Sequence, residues 1–235
     1  MNHSIITSNN QFASFPIKLI NNHIIIDNEQ KIVLDTGSPL SFHKTGVICI
    51  GEEIEVPTYL PDISDTYLSE KIGCDVYGLI GMDIISKSPI LISVKDGFVS
   101  FNDDAKYYDR FVRCHNNTGL LCVNLKINGS IAKMIVDSGA KVSYISNSYV
   151  DGMVKEGCAN DYSPYIGDFQ TSLYNCKTEL LVCDITYEQQ YGTPPTLLAA
   201  LLTQYGADGI IGIELFKRFR IQIKSGEVYF PPQGI

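Results

Sequence analysis

Two short stretches of this 235-residue chain place an ionisable residue where an apolar run ends. They are Ile32-Val33-Leu34-Asp35-Thr36-Gly37-Ser38 and, 102 residues later, Met134-Ile135-Val136-Asp137-Ser138-Gly139-Ala140. A single Asp-Thr-Gly describes a turn, in which Asp and Thr bond their own backbone and Gly supplies a positive φ. Two copies at matching positions ask for more, because an unpaired carboxylate at the end of an apolar strand is costly. A like-charged partner that shares a proton accounts for both. Adjacent carboxylates cannot both ionise easily, so their pKa values split and one acid and one base coexist.

The elements that must position Asp35 and Asp137 are also duplicated. Ile20-Asn21-Asn22-His23-Ile24 returns as Ile127-Asn128-Gly129-Ser130-Ile131, and Gly78-Leu79-Ile80-Gly81-Met82-Asp83-Ile84 as Gly209-Ile210-Ile211-Gly212-Ile213-Glu214-Leu215. Lys95-Asp96-Gly97-Phe98-Val99-Ser100-Phe101 matches Lys224-Ser225-Gly226-Glu227-Val228-Tyr229-Phe230. Four matches in one order describe a tandem duplication. From aspartate to glycine motif the first half uses 43 residues and the second 72, so the second carries an insertion. The polar stretch 102–119 marks the seam, giving halves of 1–113 and 114–235.

Both halves read as β. Strands are expected at Ile17–Ile20, Ile24–Ile26, Ile32–Leu34, Val47–Ile50, Leu121–Ile127, Lys133–Val136, Leu180–Ile185 and Val228–Phe230. Asn128-Gly129 and Asp96-Gly97 are hairpin turns. Helices are few: Pro195–Tyr205, Asp83–Lys87 and Glu214–Arg218. The fold class is all-β, with two similar barrel-like lobes, a few short helices and the site between the lobes.

Composition narrows the function. A net charge of −8 argues against nucleic acid or an anionic membrane as partner. The tight basic cluster Lys217, Arg218 and Arg220 reads as a solvated helix end. Seven cysteines, none in a Cys-x-x-Cys spacing, and four scattered histidines fit reduced thiols rather than a disulfide framework or zinc. The first residues lack the charged and apolar regions of a signal peptide, and no apolar run is long enough to cross a bilayer. The location implied is cytoplasmic. Nucleophile elbows, His-Glu-x-x-His and phosphate-binding loops are absent from the sequence.

With both Asp-Ser/Thr-Gly loops and both apolar-apolar-Gly segments in place, the chain resembles the pepsin-like and retropepsin-like aspartic proteases. Its compact, single-chain form is nearest the short bacterial members. The resemblance implies an endopeptidase in which Asp35 and Asp137 form the catalytic dyad. Thr36 and Ser138 would be buried hydroxyls that cross-bond the two loops, and Gly37 and Gly139 would let backbone N–H groups approach the carboxylates. Ser38 and Ala140 complete the loops. A hydroxyl at that position can donate to a carboxylate and lower its pKa, and Ala140 lacks one, which implies a working pH of about 4.5–6.5. No cofactor or metal is required. The partner would be a peptide or protein substrate, and a monomer suffices because one chain supplies both aspartates.

That family covers its bound peptide with a β-hairpin. Two segments are candidates: Val47–Leu60, with a turn at Gly51-Glu52-Glu53, and the inserted Tyr162-Ser163-Pro164-Tyr165-Ile166-Gly167-Asp168-Phe169. A different class also fits the resemblance, a catalytically silent two-lobed protein that binds peptides or proteins without cleaving them.

Overall fold

The computed structural model describes residues 13–61, 63–102, 111–113, 119–164 and 166–231. Most of the seam at 102–119, and Tyr165, lie outside the described residues. The fold is all-β and two-lobed.

The first half opens with β1 (Ala13–Ile20), β2 (His23–Ile26) and β3 (Ile32–Leu34), followed by β4 (Phe42–His43) and the small hairpin β5 (Val47–Cys49) and β6 (Glu53–Glu55). After α1 (Asp65–Ile72) come β7 (Gly78–Ile80), α2 (Met82–Ile85), β8 (Ile90–Ser93), β9 (Phe98–Phe101) and β10 (Phe111–Arg113). The second half holds β11 (Cys122–Ile127), β12 (Ser130–Val136), β13 (Ser143–Ile145), then a long ribbon of β14 (Gly157–Ser163), β15 (Gly167–Leu180) and β16 (Ile185–Gly192). It ends with α3 (Thr196–Gln204), β17 (Gly209–Ile211), α4 (Ile213–Arg218), β18 (Ile221–Lys224) and β19 (Glu227–Tyr229).

The duplication survives in the register. β3 lies parallel to β7 with Ile32 opposite Gly78, and β12 lies parallel to β17 with Met134 opposite Gly209. β4 and β13 then pair antiparallel to β7 and β17. Strands covered on both faces read as unbroken apolar runs, and Gly78–Ile80 and Gly209–Ile211 are wholly buried. The turns that launch β2 and β12 also match. Asn21 and Asn22 have φ of 47° and 64°, Asn128 and Gly129 have 49° and 88°, and both pairs make two-residue hairpins.

Two sheets carry the halves. One has ten strands in the order β10-β19-β18-β8-β9-β1-β2-β3-β7-β4, and the other has seven in the order β11-β12-β17-β13-β16-β15-β14. The matched closing hairpins β8–β9 and β18–β19 meet edge to edge, Ile92 opposite Ile221 and Ile90 opposite Ile223, so the chain's last strands complete a sheet begun by the first half. Of Lys217, Arg218 and Arg220, expected as a solvated helix end, Arg218 is exposed at the end of α4, while Lys217 and Arg220 reach the first half. Arg220 Nε lies 2.8 Å from Asp96 Oδ2, Lys217 Nζ donates to Asn22 at 2.9 Å, and Arg218 stacks over Tyr187.

Other differences from the sequence reading have local causes. Leu180–Ile185 is not one strand: Leu180 ends β15 and Ile185 opens β16, and a single 3-10 turn at Leu181–Cys183 with Asp184 at φ 51° makes the corner between them. Helix α1 was not anticipated, although it carries full start and stop signals. Ser64 accepts from the Tyr67 N–H, Asp65 and Lys71 complement the helix dipole, and Gly73 ends it at φ 82°. Cys49, Cys74, Cys158 and Cys176 are free thiols. Among the described residues, no helix is long and apolar enough to cross a membrane.

Gly78 and Gly209 sit where the backbone must pass closely. A Cβ on Gly78 would lie 2.2 Å from the Phe42 carbonyl oxygen, whereas one on Gly157 would meet nothing within 4 Å. Gly78→Ala is expected to cost about 2–4 kcal/mol in urea unfolding. Gly157→Ala is expected to stay within about 1 kcal/mol of the parent.

Candidate active site

Each aspartate stands at the end of a buried strand, in a loop closed from behind by the opposite strand of its own half. The Asp35 N–H donates to the Ile80 carbonyl at 2.9 Å, and the Asp137 N–H to the Ile211 carbonyl at 3.0 Å. Within each loop the glycine N–H donates to its own aspartate, Gly37 to Asp35 Oδ1 and Gly139 to Asp137 Oδ1, both at 2.8 Å.

The two loops then grip each other. Thr36 N–H donates to Ser138 Oγ at 3.0 Å, and Ser138 N–H donates to Thr36 Oγ1 at 2.9 Å. Each hydroxyl spends its own proton across the seam, Thr36 on the Val136 carbonyl and Ser138 on the Leu34 carbonyl, both at 2.8 Å. Both side chains are fully buried, so all four bonds form away from water. The glycines match this reciprocity. A Cβ on Gly37 would sit 2.2 Å from the Asp137 carboxyl carbon, and one on Gly139 would sit 2.6 Å from Asp35 Oδ2. Only bare Cα atoms let each carboxylate lie against the other half's loop.

The two carboxylates hydrogen-bond to each other, and both pKa values are raised, Asp137 well above the ordinary carboxylate range. Burial is the largest cause for both. The charge of Asp35 adds to the rise at Asp137, while N–H donors from Gly37 and Gly139 offset part of it at the two residues. Burial, with the charge of Asp35 adding at Asp137, thus lets the pair retain a proton above the ordinary carboxylate range. The two loops differ less than their sequences suggest. The Ser38 hydroxyl donates to the Leu40 carbonyl at 2.8 Å rather than to a carboxylate, and the Ala140 N–H reaches Asp137 Oδ1 at 3.1 Å.

Two serines outside the repeated motifs hold the loops to the glycine segments. Ser41 Oγ accepts from the Gly81 N–H at 2.8 Å and bonds Asp83, while Ser143 Oγ accepts from the Gly212 N–H at 2.9 Å and from Gln189 at 2.7 Å. Their equal offset from the two aspartates was the signal available in the sequence.

The dyad opens on a cavity of about 370 Å³ at the seam. On the first-half flank lie Val33, Ile63, Leu68, Ile72 and Leu79, and on the second-half flank Ile135, Phe169, Leu198, Leu202 and Ile210. The cover comes from the inserted ribbon. Asp161, Tyr162, Ser163 and Pro164, at the end of β14, line the cavity, and no residue of Val47–Leu60 does. The first-half candidate pairs as a hairpin, but it turns Ile48 and Ile50 into the main core instead. The tip of the ribbon is clasped to α1. Lys71 Nζ lies 2.6 Å from Asp168 Oδ1 and 5.0 Å above the Tyr162 ring, and Tyr67 meets Tyr162 edge to face at 6.1 Å.

No family model matches this chain, and no curated protein matches it. Among solved structures it is similar to the foamy viral protease-reverse transcriptase in complex with an RNA/DNA hybrid, at 16% sequence identity and a TM-score of 0.33. That match covers 49% of this chain and 13% of the viral one.

Two outcomes follow from this geometry. Because burial raises the dyad's pKa values, its contribution to stability is complete below the ordinary carboxylate pKa of about 3.9 and is lost as pH rises through the folded values. Asp137→Asn, which cannot ionise, is therefore expected to melt a few degrees higher than the parent at pH 7 and at the same temperature at pH 3. The clasp is an exposed ion pair and holds little stability. Asp168→Ala is expected to leave the melting temperature unchanged while amide exchange in 163–168 quickens.

Proposed function

We propose that this chain is an aspartic endopeptidase, with Asp35 and Asp137 as its catalytic residues. The observation that carries the reading is the pair of buried carboxylates, hydrogen-bonded to each other and facing a covered cavity at the seam of a duplicated fold. In the singly protonated pair, the ionised carboxylate takes a proton from a water lying between the two. The water oxygen attacks the peptide carbonyl carbon as the other carboxylic acid gives its proton to the carbonyl oxygen. Collapse of the resulting diol returns a proton to the leaving nitrogen and breaks the C–N bond. General acid–base assistance of this type contributes about 10²–10⁴-fold.

Supporting positions act by geometry. Thr36 and Ser138 keep the loops in register, Gly37 and Gly139 admit each carboxylate to the other loop, and Ser38 and Ala140 continue each loop toward its glycine segment. Both aspartates belong to one chain, so a monomer suffices for a complete site, with halves 1–113 and 114–235 each giving one. A peptide reaches the dyad by displacing the ribbon tip from α1.

The test is cleavage of a mixed peptide library between pH 3 and 8 by the parent, Asp35→Asn and Asp137→Asn. The parent is expected to show a bell-shaped profile, active where the pair holds one proton and inactive where it holds two or none. Raised pKa values place that window above the strongly acidic range. Each single variant is expected to lose at least about 10³-fold in kcat, and a statine-type inhibitor is expected to block the parent. A folded parent that cuts nothing at any pH yet binds peptides would establish the silent binding protein instead.

A further inference from the structure

We propose that Asp161 makes the second-half flank of the cavity a pocket for lysine or arginine, so that the peptides taken carry a basic residue beside the scissile bond. The inference rests on the endopeptidase reading and adds its substrate class.

Asp161 sits on β14, two residues before the ribbon turns, and lines the same cavity as the dyad. Only 9% of it is exposed. A carboxylate so placed needs partners, and those it has are neutral. Tyr144 donates its hydroxyl to Oδ2 at 2.6 Å, and the Tyr162 N–H donates to Oδ1 at 2.9 Å. No lysine, arginine or histidine among the described residues forms an ion pair with it. Lys141 also lines the cavity but makes no ion pair with Asp161. A buried carboxylate held by two neutral donors still favours a cation.

The surrounding wall suits the rest of such a side chain. Phe169, Leu198, Leu202, Tyr205 and Ile210 give the apolar surface along which a lysine or arginine stem packs while its head meets a charge. The first-half flank is built differently. It is aliphatic, and its one histidine, His23, is kept neutral above about pH 4 by burial and then by Lys141. That flank takes an apolar side chain. One peptide therefore presents an apolar residue and a basic residue on the two sides of the bond that is cut. The chain's net charge of −8 steers such cationic peptides toward it.

The experiment pairs turnover with binding. Cleavage is compared for peptides that differ only in carrying lysine or norleucine, which has the same stem without the charge, at each position flanking the scissile bond. Reduced-amide versions of the same peptides, which cannot be cut, are titrated by calorimetry against the parent and Asp161→Asn. Asn at this position keeps an acceptor for Tyr144, and circular dichroism checks that it folds. The parent is expected to prefer lysine by about 10–100-fold at one position, in kcat/KM and in Kd alike, with the ratio falling to about one in Asp161→Asn. A residue that merely anchors the ribbon would change both peptides equally. Equal affinity of the parent for lysine and norleucine, or binding of neither, overturns the pocket. Discrimination in binding with no cleavage by the parent keeps the pocket and overturns the endopeptidase.

Discussion

Placing two carboxylates against each other in the interior is the constraint on which the rest of this structure depends. Each is costly to bury, and each repels the other when both are charged. The arrangement holds only if the two loops cannot drift apart, and four reciprocal hydrogen bonds through Thr36 and Ser138 provide that. Those bonds span the two halves, so the halves must be fixed to a fraction of a bond length. The join between β8 and β18 does this from below, with Arg220–Asp96 and Lys217–Asn22 at its margin. Breaking the seam would leave buried carboxylates and buried hydroxyls without partners at once.

This constraint also explains what duplication has kept and what it has let go. Wherever residues hold a carboxylate, the halves agree position for position: β3 with β12, β7 with β17, Ser41 with Ser143, Gly81 with Gly212. Between the β4 or β13 strand and the glycine segment, nothing in the dyad fixes the chain. There the first half forms a small core-facing hairpin and α1, while the second forms a long ribbon and α3. Correspondence is confined to the residues that hold the carboxylates, and the two flanks of the cavity differ.

The same division decides what was legible in the sequence. Asp35, Asp137 and their loop residues stood out because a twofold pattern of short, apolar, glycine-bounded segments has few other uses. The all-β class followed from the same β-branched runs. Ser41 and Ser143 were visible only as an equal offset, since a serine by itself names no role. The ribbon cover was written in Tyr162–Phe169, but composition could not say which of two hairpins reaches the cavity. That depends on where Ile48 and Ile50 are buried, a tertiary fact. Helix α1 had legible caps at Ser64 and Gly73, yet its place under the ribbon tip rests on Lys71 and Tyr67 meeting partners about a hundred residues away. At Leu180–Ile185 an apolar run was read as a strand although Leu181 and Ile185 are exposed; Asp184 in the left-handed region turns the chain there.

Cover and dyad are bound to one another electrostatically as well as by position. The Tyr162 hydroxyl is held protonated, first by burial and then by Tyr67 and by the charges of Asp35, Asp161 and Asp137. The covering ribbon thus presents a neutral donor, not another charge, to a cavity lined by three aspartates. The ribbon residues Asp161–Pro164 line the same cavity as the pair, and desolvation is the main reason the pair's pKa values are high. Burial, more than the charge of a neighbour, is thus what lets the pair keep its proton.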